Sequence, residues 1–145
     1  MMDAALAAAI KRFVLVSSLG VYEARDHFGT DESAPLPANH IDGYTQTKVE
    51  AERLAMTYFK EKRLPLVVIR PGFIYGPRDQ TVMPRILANL RRRLVTYFGS
   101  RQKKINNSYV GNVVQGISLA LKPNVPLGEA FNITDVPLVT KKVFF

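Results

Sequence analysis

Two stretches of the chain read as buried strands, with a helix between them. Phe13-Val14-Leu15-Val16-Ser17 is a continuous apolar run that ends in small polar residues, the pattern of a parallel strand covered on both faces. Leu66-Val67-Val68-Ile69 repeats that pattern and is stopped by Pro71-Gly72. From Tyr44 to about Lys62 the periodicity turns helical, with Ala51, Leu54, Ala55 and Tyr58 spaced along one face and Pro65 ending the stretch. Strand, helix, strand in this order predicts a right-handed parallel crossover, and so an α/β fold.

The flanking segments are less regular. Asp3 to Lys11 is alanine-rich and reads as the tail of a longer helix. Residues 19–42 mix Gly29, Pro35, Pro37 and several charges without periodicity, which predicts a long loop of the kind that is often functional. Val82 to Arg93 is expected to be helical and Leu94 to Phe98 strand-like. Gly111 to Leu121 is expected to be helical, with Val113, Val114, Ile117 and Leu121 on one stripe, and Phe131-Asn132-Ile133 to be a short strand. Thr140 is placed to cap a further helix beginning Lys141-Lys142.

Composition narrows the chemistry. With 145 residues, 47% of them hydrophobic and 22% charged, the chain has the make-up of one globular domain. It contains no cysteine, which excludes disulfides and thiolate metal sites and is compatible with a reducing, cytoplasmic setting. His27 and His40 are the two imidazoles and lack ligand spacing around them, so no metal is expected. The opening Met1 to Phe13 inverts the charge order of a signal peptide. No run approaches the ~20 apolar residues of a membrane span, so no membrane partner is expected.

The formal charge is +8, and Arg91, Arg92, Arg93, Arg101, Lys103 and Lys104 concentrate much of it. Such a segment suits a pyrophosphate-bearing substrate, RNA or anionic lipid, and a solvated basic face accounts for it equally well.

Tyr44 and Lys48 stand four apart at the start of the central helix and share a face. A bare Tyr-x-x-x-Lys is common by chance, and the weight comes from what flanks it. Ser17-Ser18-Leu19-Gly20-Val21-Tyr22 follows the first strand, and Arg70-Pro71-Gly72-Phe73-Ile74-Tyr75-Gly76-Pro77 follows the second. In a parallel sheet both strand ends open on one edge, so Ser18, Tyr44 and Pro71 are brought together.

In that order, and through Tyr109-Val110-Gly111-Asn112-Val113 and Phe131-Asn132-Ile133-Thr134, the chain resembles the extended short-chain dehydrogenase/reductase family, also called the NAD-dependent epimerase/dehydratase family. The resemblance covers nearly the whole chain. It implies the C-terminal half of a Rossmann-type parallel sheet, at about residues 1–80, with part of a small substrate-binding subdomain at about residues 81–145.

It also implies an NAD or NADP cofactor, a small-molecule substrate and a homodimer in the intact protein, without nucleic acid. Tyr44 would be the general acid/base, and Lys48 would hold the nicotinamide ribose. Ser18 would hydrogen-bond the reacting oxygen, with Ser17 a backbone-satisfying neighbour, and Pro71, Gly72 and Phe73 would line the nicotinamide. A phenol is a poor base at its reference pKa of ~10, and bringing one near neutrality takes about 4 kcal/mol, which adjacent positive charge supplies. Arg78 and Arg101 are candidates for substrate phosphate, since guanidinium forms bidentate, charge-assisted bonds.

Departures from the family pattern matter as much. Leu19 and Gly20 stand where the family's dehydratases carry an Asp-Glu pair, which leaves epimerisation or alcohol/ketone oxidoreduction on a sugar nucleotide or steroid-like alcohol. Glu23 replaces a glycine commonly found after the Val-Tyr pair. No Gly-x-Gly-x-x-Gly or Gly-x-x-Gly-x-x-Gly is present, so in family terms the first ~100 residues, with their phosphate-binding glycines, are expected to be missing. On that expectation the first strand has an open apolar edge. The competing readings are a catalytically inactive fragment and a polyanion- or RNA-binding module on the same scaffold.

Overall fold

The computed structural model describes residues 1–27, 29–80, 82–92 and 100–140. A three-stranded parallel sheet organises them, in the order β1 (Phe13–Val16), β2 (Leu66–Pro71), β5 (Ala130–Ile133). The register pairs Phe13 with Leu66 and Val16 with Ile69 on one side of β2, and Val68 with Ala130 and Pro71 with Ile133 on the other. β2 is buried along its whole length. Its side chains alternate: Leu66 and Val68 pack with Ala55 of α2 (Gly43–Lys62), whereas Val67 and Ile69 pack with Ala120 of α4 (Val110–Ala120). Helices on both faces account for the unbroken apolar run.

Helix α2 begins where Asp42 accepts a hydrogen bond from the Thr45 N–H at 2.9 Å, an acidic N-cap that satisfies an otherwise orphan donor. It ends at Arg63, in the left-handed region at φ 57°, with the Leu64 N–H returning to the Tyr58 carbonyl at 3.1 Å. This Schellman-type closure stops the helix two residues before Pro65. Helix α1 (Met2–Ala7) is shorter than the alanine-rich stretch predicts, because Ala9 turns the chain at φ 47°. β1 is half-buried rather than covered on both faces, since among the described residues it is an edge strand.

The expected helix faces also shift. In α2 the residues that go under are Val49, Glu52 and Ala55, and Leu54 is 52% exposed. In α4 they are Val113 and Ala120, and Val114 is 57% exposed. The sheet lies on one side of each helix, and Leu54 and Val114 fall on the other.

A second, two-stranded parallel sheet joins β3 (Phe73–Tyr75) to β4 (Asn107–Tyr109), and α3 (Val82–Arg91) lies between them in sequence. The chain passes from β2 to β3 through Gly72, where a Cβ would lie 1.9 Å from the Asn106 carbonyl oxygen. Only glycine permits that approach. The strand expected at Leu94 to Phe98 and the helix expected after Thr140 lie outside the described residues, although Thr140 itself forms an antiparallel bridge with Lys104.

Candidate active site

The C-terminal ends of β1 and β2 open on a cleft of about 520 Å³. Ser17, Ser18, Leu19 and Gly20 line it from the β1 side, Tyr44 from the first turn of α2, and Pro71, Gly72, Phe73 and Ile74 from the β2 side. Asn106, which sequence reasoning did not single out, closes the wall. Three segments far apart in sequence thus meet at one rim of the sheet, as parallel topology requires.

Ser18 caps the short 3-10 turn Leu19–Val21, its hydroxyl oxygen accepting from the Gly20 N–H at 3.1 Å. That leaves the hydroxyl proton free to be donated. The turn is held close to α2: a Cβ on Gly20 would lie 3.1 Å from Cγ2 of Thr45. Ser17 differs from expectation. Its backbone N–H extends the ladder to the Ile69 carbonyl at 2.8 Å, but its own hydroxyl is buried with no hydrogen-bond partner among the described residues. The backbone-satisfying serine is therefore Ser18, and the orphan hydroxyl in the cleft wall is that of Ser17.

Tyr44 is 62% exposed. Lys48 lies one turn further along α2, with Nζ 5.9 Å from the Tyr44 ring centre, and donates to the Val16 carbonyl at 3.1 Å. The ammonium is thereby tethered to the last residue of β1. Arg78 and Arg101 are not among the cleft-lining residues. Arg78, at φ 70°, lines a neighbouring cavity of about 310 Å³ that shares Ile74 with the cleft, and Arg101 is exposed. In the basic segment Lys103 is engaged by Asp26 at 2.7 Å.

Behind the cleft lies a buried polar network that sequence reasoning also missed. Arg70 forks onto Glu52, with Nη2 donating at 2.7 Å and Nε at 3.1 Å, and Nη1 donates to the Tyr22 hydroxyl at 2.8 Å. The Tyr22 hydroxyl in turn donates to Asn132 Oδ1 at 3.0 Å. Burial pulls the Arg70 guanidinium down, but the hydrogen bond and charge of Glu52, helped by Tyr22, outweigh it and hold the group above its ordinary value. The available signal was an arginine continuing a buried strand, which needs a charged partner. On β2 it has the same parity as Leu66 and Val68, so it faces α2.

Residues 1–134 match the family described as the NAD dependent epimerase/dehydratase family. The chain belongs to that family. The relatives of this member include a 3-beta-hydroxysteroid dehydrogenase of Mycolicibacterium neoaurum, 35% identical over 85% of this chain and 34% of the relative. A decarboxylating sterol-4-alpha-carboxylate 3-dehydrogenase of Candida albicans is 34% identical over 77% of this chain and 32% of the relative. This epimerase/dehydratase-family chain thus spans about a third of the length of these curated relatives.

Among solved structures, the UDP-glucuronic acid 4-epimerase of Bacillus cereus in complex with NAD superposes with a TM-score of 0.83 at 23% identity, over 97% of this chain and 46% of the epimerase. That likeness shows the Rossmann-type fold. Among the described residues no helix is long and apolar enough to cross a membrane, and no cluster of metal-ligating side chains occurs.

Proposed function

We propose that this polypeptide carries the proton-transfer part of an NAD(P)-dependent alcohol/ketone oxidoreductase or epimerase. In this reading Tyr44 is the general acid/base, Ser18 hydrogen-bonds the reacting oxygen and Lys48 holds the nicotinamide ribose. The observation that carries the reading is the shared cleft, where Ser18, Tyr44 and Pro71 to Phe73 converge on one sheet edge, with the Lys48 ammonium tied to the end of β1.

The residues present fit the nicotinamide end of the cofactor, since the wall offers the unpartnered Ser17 hydroxyl beside the rim formed by Pro71, Gly72 and Phe73. When bound, NAD(P) supplies the hydride acceptor or donor. The chain's own groups handle the proton. The Ser18 hydroxyl, already accepting from Gly20, donates to the substrate oxygen. Tyr44 exchanges the proton with that oxygen in either direction. Lys48 has two N–H groups left to donate once Val16 is satisfied.

Leu19 and Gly20 give the cleft wall no acid/base pair for dehydration. The hydroxysteroid and sterol names of the curated relatives favour a steroid-like secondary alcohol as substrate, with a sugar nucleotide the second choice. Arg78 is the better placed of the two arginines for a substrate phosphate, because its cavity adjoins the cleft at Ile74. Half-exposed Leu54 on α2 supports a homodimer through that helix.

Oxidation of a 3-hydroxysteroid or a UDP-sugar, followed by nicotinamide absorbance with NAD or NADP, tests the reading. Tyr44→Phe is expected to lower the rate by about 10²–10⁴-fold. Unchanged turnover in that variant would remove Tyr44 from the proton step. No turnover by the parent chain with either cofactor and either substrate would overturn the enzyme reading.

A further inference from the structure

Tyr44, Lys48 and Glu52 follow one another at intervals of four along α2, so they form a single stripe. The stripe runs from solvent to core: Tyr44 is exposed, whereas the side chains of Glu52 and its partner Arg70 are 5% and 7% exposed. Arg70 directly precedes Pro71 and Gly72 of the cleft rim. Its guanidinium also reaches the Tyr22 hydroxyl, four residues beyond Ser18. Tyr22 is held at its other end as well, its carbonyl accepting from His40 Nε2 at 2.8 Å, while His40 Nδ1 meets the Thr45 hydroxyl at 2.6 Å. All three segments that build the cleft are therefore connected through Arg70 and Tyr22.

We infer that Arg70 and Glu52 are positioning residues, whose fork fixes the rotation of α2 about its own axis and so aims Tyr44 and Lys48 at the rim bearing Ser18. The physical argument is one of selectivity. A buried ion pair adds little net stability over a well-packed apolar pair of similar volume, because desolvation offsets the Coulombic gain. A planar fork on a carboxylate nevertheless accepts only a narrow range of orientations. Apolar packing also seats α2, through buried Val49 and Ala55 and partly buried Met56 and Phe59. Such contacts are non-directional and tolerate a small rotation better than the planar fork does. The inference uses the acid/base reading of Tyr44 for its consequence and not for its geometry.

The test uses the 145-residue chain and a readout that stability alone does not move. Thr45 Cγ2 lies against Gly20, so an NOE between the Thr45 methyl and the Gly20 α-protons reports α2 seated against the Ser18 turn. In the double variant Glu52→Leu/Arg70→Met we expect cooperative urea unfolding with a midpoint at or above that of the parent, together with loss of this NOE. Arg70→Lys keeps the charge but not the fork, and is expected to weaken the NOE.

A folded double variant that retains the NOE would overturn the inference. So would failure of that variant to fold, which would make the pair a stability requirement. An Arg70→Lys signal equal to the parent's would overturn the fork as the cause. Absence of turnover in the parent chain sinks the acid/base reading and leaves this geometric result standing, so the two fail separately.

Discussion

Two carboxylates, one at each sheet of this molecule, gather several donors, and they do so in opposite ways. Under the three-stranded sheet, Glu52 is buried and neutralised by the Arg70 guanidinium. Beside the two-stranded sheet, Asp135 is half-buried and has neutral partners: the Tyr75 hydroxyl and the Asn107 amide at 2.8 Å, the Tyr109 N–H at 2.9 Å and the Asn112 amide at 2.8 Å. The first arrangement costs a great deal to break, because either partner alone would be a buried, unpaired charge. The second spreads its stabilisation over four hydrogen bonds and depends on the carboxylate staying ionised. Charge pairing lies beneath the sheet that carries the proposed proton-transfer groups, and neutral donors surround the carboxylate beside the other sheet.

Removing one partner is the strongest way to break the comparison. Glu52→Ala strands a buried guanidinium and is expected to destabilise the chain by about 3–5 kcal/mol, read from the urea midpoint. Next comes the seam between the sheets. Gly72→Ala places a methyl against the Asn106 carbonyl, and overpacking of this kind is expected to cost about 1–3 kcal/mol. Amide exchange should rise across β3 and β4 in that variant, while protection at Val67 and Val68 changes little.

The acid response tests the second arrangement. Burial pushes the Asp135 carboxyl up, but hydrogen bonds from the Tyr109 N–H, Tyr75, Asn112 and Asn107 outweigh it and hold the group below its ordinary value. A carboxyl lowered in the folded state contributes stability that is present above its unfolded pKa of ~3.9 and is lost as pH falls through the folded value. The stability gap between the parent and Asp135→Asn is therefore expected to be full at neutral pH and to close in acid, as urea midpoints across pH would show. A gap independent of pH would separate the hydrogen bonds from the charge. The smallest effect belongs to the exposed pair of Lys103 and Asp26. Lys103→Ala should leave the urea midpoint unchanged within error, because solvent and salt screen such pairs.

Much of the cleft rim is legible in the residues themselves. The apolar runs at Phe13 and Leu66, and the small residues ending them, mark strand ends that must open on one edge. The spacing of Tyr44 and Lys48 then places their side chains there. The strands β3 and β4 are harder to read, because three residues such as Asn107-Ser108-Tyr109 carry no period. The facing of α2 is hard to read for a related reason. Periodicity favours the apolar Leu54 over the charged Glu52, and only the presence of Arg70 across the interface makes burial of the carboxylate tolerable.

Chain order and apolar pattern alone determined the parallel α/β arrangement, the helix that bears Tyr44 and Lys48, and the loops that bear Ser18 and Pro71, because these follow from local periodicity and from the one-sided geometry of parallel crossovers. Tertiary structure alone decided that Ser18 caps the backbone while Ser17 keeps an orphan hydroxyl, that Gly72 is pressed against Asn106, and that Arg70 meets Glu52 and Tyr22. Those outcomes depend on groups from different segments approaching within a few ångströms, and no local pattern encodes a distance between residues that are far apart in the chain.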